Sequence, residues 1–505
     1  MTLDFTVQTD FIWALLPEIV LSICGMAVLL AGVARNEPND GMPGNSDGLK
    51  WLALTGILGA GLMNAWLHQV VVLGEPGAIT VDRFRIFSNW ILLLGAGMTI
   101  LISTPYITRQ RLQVGEFYAL ILLATVGMMI MAGTQNLIVL FLALETMSIA
   151  AYALAAYNRR DARSAEAGLK YFILGAFSSV FLLYGIALVW GATGSVVLPQ
   201  IAETIEAGAG FTGLLLSGMG LLCIGFAFKV AAVPFHMWAP DVYEGAPLPV
   251  TAFMAASVKA ASVVAFVRVF LEAFWNLYAT WYVVIWWLAA VTIVVANLVA
   301  LSQSSVKRML AYSSVAHGGY LLVGLAAASE VATGSVLFYL LVYTIMNVGA
   351  FGILIIMGNH SEARPDVEDY AGFGWAEPRF GVLFTIFLLS LAGFPGTGGF
   401  MAKIYLLQGA AGSQLWTLAV ILALGTVVSY YYYLKVAWYM WMEPAAEDDS
   451  VGTAPVPFSM QVTLIGAAAA ILYLGIFPGG LMDGAQSAAQ GLGLFTAEGF
   501  LELAR

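Results

Sequence analysis

Charge is what this chain of 505 residues has least of: Asp, Glu, Lys and Arg together make up 10% of it, against roughly 25% in an average soluble domain. That scarcity excludes a soluble globular enzyme. It also excludes disorder and coiled coils, which need polarity or charged heptads. Basic residues are the rarer sign, 20 Lys and Arg against 30 Asp and Glu, and the pI is near 4.9, so the chain carries no electrostatic footprint for nucleic acid. Only two cysteines occur, Cys24 and Cys223, each inside an apolar stretch and far from the other, which leaves no disulfide framework and no CxxC metal or redox motif. The four histidines are too scattered for a metal-ligand pair, and no phosphate-binding, dinucleotide-binding, zinc-protease or nucleophile-elbow motif stands in a suitable context.

What fills the chain instead is apolar surface, 61% of the residues. Marking apolar runs between polar or Gly/Pro-rich breaks predicts an all-α polytopic membrane protein with about fourteen helices. They span 11–34, 50–73, 86–104, 113–132, 136–157, 168–195, 212–236, 249–271, 279–301, 307–326, 332–357, 382–408, 414–440 and 455–478. A β-barrel does not fit, because barrel strands run to about 10 residues with polar alternation. The first run follows Asp4 and Asp10 where a secretory signal would carry Lys or Arg, so it is read as a retained helix.

Counting Lys and Arg on alternate connections sets the expected orientation. Connections after odd-numbered predicted helices hold Arg35, Lys50, Arg109, Arg111, Arg159, Arg160, Arg163, Lys307, Arg308, Arg364 and Arg379; the opposite side holds only Arg83, Arg85 and Arg505. Both termini are therefore expected on the outer side. The remaining six basic residues, Lys170, Lys229, Lys259, Arg268, Lys403 and Lys435, fall within the spans.

An ion at the bilayer centre costs at least about 2.5–3.5 kcal/mol, which makes these six and Glu145 the informative residues. Glu145 in "LALETMS", Lys229 in "GFAFKVAAVPFH" and Lys259 in "AASVKAAS" lie near mid-span and read as a transport or relay set. Lys170 and Lys435 lie near cytoplasmic ends, where a topology anchor and a relay role are equally open, and Arg268 near an outer end is expected to snorkel. Predicted helix 7 carries Pro234 five residues after Lys229, and predicted helix 12 contains "GFPGTGGFMAK", with Pro395 and four glycines ahead of Lys403. Helix 12 reads as a true interruption; for helix 7 a simple proline kink is also open. If helices 4–8 and 9–13 are two repeats, helix 7 corresponds to helix 12, Lys229 to Lys403 and Lys259 to Lys435, and five helices per repeat makes the repeats inverted. The expected division is 1–112 for helices 1–3, 113–271 and 279–440 for the repeats, and 441–505 for helix 14 and the tail. His317 in "AYSSVAHGGY" then stands as relay or core residue, and His236 as relay at the cytoplasmic mouth or part of a turn. His68 and His360 read as surface residues.

The runs "LETMSIAAYALAAYNRRDARSAEAGLKYFILGAFSSVFLLYG", "FKVAAVPFHMWAPDVYEGAPLPVTAFMAASVKAA", "SSVKRMLAYSSVAHGGYLLVG" and "LAGFPGTGGFMAKIYLL" resemble the subunit N family of bacterial proton-pumping NADH:quinone oxidoreductase, respiratory complex I. The resemblance covers roughly predicted helices 3 to 14. Subunits L and M of that complex and the Mrp-type sodium/proton antiporters are relatives. Lys403, where subunit M typically has Glu, and the short stretch after helix 14, where subunit L has a long transverse helix, favour N. The resemblance implies a fourteen-helix antiporter-like module in which Glu145, Lys229, Lys259 and Lys403 match a proton-transfer axis, with Lys170 flanking it; because a carboxylate raises the pKa that desolvation lowers in a lysine, Glu145 is expected to switch Lys229. It implies no cofactor in this chain, with NADH, FMN, iron-sulfur clusters and quinone in other subunits. The implied partners are the adjacent subunit M and the small subunits K and J in a bacterial inner membrane. An Mrp-type antiporter subunit and a non-pumping membrane scaffold are the alternatives. Four lysines beside one mid-membrane carboxylate offer Na⁺ few hard oxygen ligands, which favours protons. Because a related subunit has Glu at the matching place, Lys403→Glu is expected to be better tolerated than Lys403→Ala.

Overall fold

The computed structural model describes residues 2–4, 8–34, 46–73, 78–208, 210, 212–358, 366–444 and 456–494. Arg35, Arg364 and Arg505 of the charge count, and His360, lie outside the described residues. The chain runs as α1 (Gln8–Ala14), α2 (Leu16–Ala34), α3 (Ser46–Leu67), α4 (Arg83–Gln110), α5 (Val114–Gly133), α6 (Leu137–Ala155), α7 (Ala162–Thr193), α8 (Leu198–Glu206), α9 (Thr212–Lys229), α10 (Trp238–Gly245) and α11 (Leu248–Phe253). It continues as α12 (Lys259–Phe274), α13 (Tyr278–Leu301), α14 (Val306–Ala327), α15 (Glu330–Met357), α16 (Phe373–Ala376), α17 (Pro378–Ala392), α18 (Gly398–Gly412), α19 (Trp416–Met442), α20 (Phe458–Ile476) and α21 (Gly479–Gln490). One parallel pair, β1 (Thr2–Asp4) with β2 (Val71–Leu73), is the described strand structure.

Among the described residues, eleven helical segments are long and apolar enough to cross a membrane, the continuous run Leu248–Leu301 counting once. α3 is a helix of 22 residues that falls outside that set, and predicted helix 12 is divided between α17 and α18 of 15 residues each. The helical, polytopic architecture expected from composition therefore holds.

Packing follows a recurring order. α5 lies on α6 and α7 on α9 and α10; α13 lies on α14 and α15 on α17 and α18. α14 and α15 are buried almost throughout, so their polar residues face protein. α7 is the opposite case: Phe172, Phe177, Val180 and Tyr184 are exposed along it, as a helix facing lipid or a neighbouring subunit requires.

Both interruptions are real, and neither is a proline kink. Predicted helix 7 ceases to be helical after Lys229, ahead of Pro234, where Ala231 takes φ 60°. The freed backbone finds protein partners: Thr292 Oγ1 accepts from Val233 N at 2.9 Å, and the Phe228 carbonyl accepts from Trp238 Nε1 at 3.0 Å. In predicted helix 12 the left-handed Gly393, φ 87°, ends α17 and residues 393–397 separate it from α18, so Pro395 lies inside the break. The φ of Gly393 requires glycine, and a Cβ there would stand 2.9 Å from Lys403 Cδ and displace that side chain.

Candidate functional site

Three buried lysines define the site, and the structure places each at an irregularity of the backbone. Lys229 is the last residue of α9, Lys259 follows the π-helical turn Met254–Val258, and Lys403 stands on α18 just past the break. Unwound and π-helical turns leave carbonyls and N–H groups free, which is where side-chain chemistry is found inside helices.

The partners of these lysines are neutral. Lys229 Nζ donates to Ser148 Oγ at 2.9 Å and to Tyr152 OH at 3.3 Å, both on α6, and lies 5.7 Å from the centre of the Tyr152 ring. Lys259 Nζ donates to the carbonyl and the hydroxyl of Ser314 on α14. Lys403 Nζ reaches back to the carbonyls of Leu391 at 3.1 Å and Ala392 at 2.8 Å, and lies 5.1 Å from the centre of the Tyr320 ring. Their exposures are 5%, 1% and 3%, and among the described residues none of the three has a carboxylate partner.

The buried basic residues elsewhere behave differently. Arg85 is bound to Glu18 at 2.7 Å. Arg268, expected to snorkel, is instead fully buried between Asp82 at 2.8 Å and Glu272 at 2.6 Å, and it also donates to the Ala132 carbonyl. The sequence did not reveal this cluster because Asp82 is far from Arg268 along the chain, and an arginine near a span end has the look of an anchor even with Glu272 one turn further on. A guanidinium keeps its proton in proteins, so it must be neutralised when buried. A lysine among neutral oxygens has no counter-ion fixing its charge.

Between Lys259 and Lys403 runs a series of polar side chains. His317 on α14 is hydrogen-bonded through Nδ1 to Tyr339 OH and through Nε2 to Tyr433 OH at 3.2 Å; Tyr433 OH meets Ser313 Oγ, one residue before the Ser314 that holds Lys259. Tyr320 OH accepts from Asn297, whose carbonyl accepts from Tyr432 at 3.0 Å. The buried hydroxyls of Ser257 and Tyr343 and Nδ1 of His236 have no protein partner among the described residues. The tyrosines and serines escaped sequence reading because Tyr and Ser are common in membrane helices; only contact with His317 distinguishes Tyr339 and Tyr433.

Glu145 is half-buried on α6, hydrogen-bonded to Ser179 on α7 rather than ion-paired with Lys229. Ser148 and Tyr152, further along α6, are the residues that hold Lys229. Lys170 forms ion pairs with Glu166 at 2.8 Å and Asp241 at 2.9 Å, and Arg308 with Asp241 at 3.3 Å and Glu244 at 2.6 Å. These residues line an open cleft of about 450 Å³ between the α7, α10 and α14 ends. Hydrogen bonding from Lys170 holds the Asp241 carboxyl below its ordinary range, with Arg308 adding to the effect against partial burial. His236 lies in the turn before α10, its ring 6.5 Å from that of Tyr312. Lys435 is half-buried on α19, with no hydrogen bond or ion pair among the described residues, and so stands apart from the lysine series. No group of three or more His, Cys, Asp and Glu side chains that could hold a metal occurs among the described residues.

Residues 134–429 match the family described as NADH:quinone oxidoreductase/Mrp antiporter, TM. The NADH-quinone oxidoreductase subunit N of Trichlorobacter lovleyi is 45% identical over 487 residues, covering 96% of this chain and 98% of its own. A chain of respiratory complex I from Thermus thermophilus superposes with a TM-score of 0.76 at 34% identity, over 92% of this chain and 98% of that one. A chain of the Mrp complex from Dietzia has a TM-score of 0.82 at 19% identity, over 98% of this chain and 99% of that one, which shows a shared fold. The buried lysines at broken and π-helical turns thus stand in an antiporter-like fold, and the chain belongs to the NADH-quinone oxidoreductase subunit N family.

Proposed function

We propose that the chain is a proton-translocating membrane-arm subunit of NADH:quinone oxidoreductase, and that Lys229, Lys259 and Lys403 carry the proton transfer. The observation behind this assignment is the contrast in partners: the buried arginines sit against carboxylates, whereas the three lysines sit against hydroxyls and carbonyls only. Such a nitrogen can hold or hand on a proton without breaking an ion pair.

In this reading Glu145 influences Lys229 through the α6 face it shares with Ser148, and a change at Glu145 or Ser179 redirects the Lys229 proton. From Lys229 the path continues to Lys259 and Ser314, through Ser313, Tyr433 and His317, to Lys403 at the end of α17. The unpartnered Ser257, Tyr343 and His236 atoms are points where water would complete the chain. The ion-paired cleft at Lys170 and Asp241 is the cytoplasmic mouth. Residues 113–271 and 279–440 form two inverted repeats, fourteen crossings in all, with 1–112 ahead of them and both termini on the outer face of a bacterial inner membrane. Subunits M, K and J are the neighbours, and the redox cofactors lie in other subunits. The subunit takes part in the translocase without a redox step of its own.

An Mrp-type antiporter shares the fold but has weaker support, since the 45% identical relative carries the NADH-quinone oxidoreductase name. Purifying the complex through a tag on this chain separates the readings. Co-purified iron-sulfur and flavin subunits, with quinone reduction that acidifies one side of a vesicle, are the expected result. Co-purification with small antiporter subunits alone would contradict it.

A further inference from the structure

We infer that the groove between α3, α4 and α21 binds an anionic phospholipid, its headgroup at Arg83 and His68 and an acyl chain along Trp90. The faces of two helices create the groove. On α3 the exposed Leu58, Leu62 and Ala65 recur at helical spacing and lead to His68 just past the helix end. On α4 the residues Arg83, Phe87, Trp90 and Leu94 share one face in the same manner, starting from the first residue of the helix. Because α3 ends where α4 begins, both polar groups stand at one end and both apolar rows run away from it.

α21 closes the polar end. It packs on α4, and Arg83 Nη1 donates to Ser487 Oγ at 2.8 Å. The result is an open cleft of about 530 Å³, with an adjoining one of about 420 Å³ that shares His68, Arg83, Ile86 and Ser487. The remaining Arg83 nitrogens and the His68 ring have no partner among the described residues. Asp82, which borders the second cleft, is paired with Arg268, and among the described residues no carboxylate is bonded to Arg83.

The chemistry below the cleft selects a lipid over a free anion. The Trp90 ring lies against Gly61, where a Cβ would stand 3.1 Å from it, and is 45% exposed. Leu58, Leu62 and Leu94 continue the apolar wall away from the polar end. A guanidinium over an exposed indole and a strip of leucines matches a phosphate over an acyl chain, the amphipathic order of a membrane interface.

The test uses the whole purified complex, reconstituted in phosphatidylcholine vesicles that carry a trace of photoreactive phosphatidylglycerol or of photoreactive phosphatidylcholine with the same acyl chains. Phosphatidylglycerol is expected to label the Trp90–Leu94 segment about fivefold more than phosphatidylcholine, the factor set by one basic residue at a headgroup. Arg83→Gln is expected to abolish the preference and Arg83→Lys to keep it. Should Arg83→Gln fail to assemble, His68→Gln reads the same preference and is expected to reduce it. Equal labelling by the two lipids would overturn the inference, as would displacement by inorganic phosphate, which marks a simple anion site. A photo-crosslinker placed at Phe87 that captures a neighbouring subunit instead of lipid would overturn it as well.

Discussion

Lys403 Nζ donates to the Ala392 carbonyl at 2.8 Å across the break between α18 and α17, so a cation on one half of the interrupted helix satisfies the free end of the other. The end of α17 is the negative pole of its helix dipole, which adds to the preference for an ammonium there. This geometry reverses the expectation drawn from sequence for Lys403→Glu. An ionised carboxylate cannot donate and would face two carbonyl oxygens. Lys403→Glu is therefore expected to pump no better than Lys403→Ala at matched complex levels. Clearly better pumping by the Glu variant would mean that a titratable group of either sign serves.

Lys229→Ala and Glu145→Ala are expected to lower proton pumping by roughly an order of magnitude or more, and Lys435→Ala to leave it near wild type. Lys229 bonds to the Ser148 and Tyr152 hydroxyls and Glu145 lies one turn from Ser148 on α6, whereas Lys435 has no hydrogen bond or ion pair among the described residues. Vesicle acidification during quinone reduction measures this. Equal, unimpaired values for all three would favour a scaffold.

Gly318→Ala tests the joint between α14 and the broken α9. A Cβ there would lie 2.9 Å from the Val230 carbonyl and 3.9 Å from Lys259 Nζ, so backbone must shift. Pumping is expected to fall while the complex still assembles. Gly466→Ala on α20, where nothing lies within 4 Å, is the control and is expected to be neutral. A wild-type Gly318→Ala variant would show that the joint is not tightly set.

Apolar helices, breaks and the buried lysines were legible in the sequence because each departs from its background: twenty apolar residues mark a long helix, Gly-Pro-Gly marks a break, and a lone Lys stands out. The short helices α8, α10 and α21 were not legible, since their polar faces look like connections, nor was α16, whose four residues are too few to show a period. Arg268 was misread because its partner Asp82 is brought to it only by packing, although Glu272 stands one turn further along the same helix. The Glu145–Ser179 contact was equally hidden, hydroxyl partners carrying no signal in a chain rich in Ser and Tyr.

Removing Arg268 should be costly for the opposite reason to the lysines. Arg268→Leu leaves Glu272 buried and Asp82 half-buried without their cation, a loss of up to about 3–5 kcal/mol. Lower amounts of assembled complex are expected, with the surviving fraction keeping its proton-to-quinone ratio. Normal assembly would show that the cluster is not a structural tie.

The Asp241 bridge is expected to hold unchanged between about pH 5.5 and 8.5, since a carboxyl lowered from its ordinary value near 3.9 loses its pairing only as pH falls below that value. Asp241→Asn is therefore expected to lower turnover without moving its pH profile in that range. A shifted profile would mean that Asp241 titrates during turnover.

The most direct test of the lysine series is the number of protons moved per quinone reduced by proteoliposomes carrying Lys259→Met, a replacement that keeps side-chain bulk and removes the exchangeable proton. Lys259 lies between the two breaks, held by Ser314 alone among the described residues. With assembly matched to wild type, the ratio or the coupled turnover is expected to fall clearly. A Lys259→Met complex that turns over and pumps with the wild-type ratio would contradict proton transfer through this chain's buried lysines.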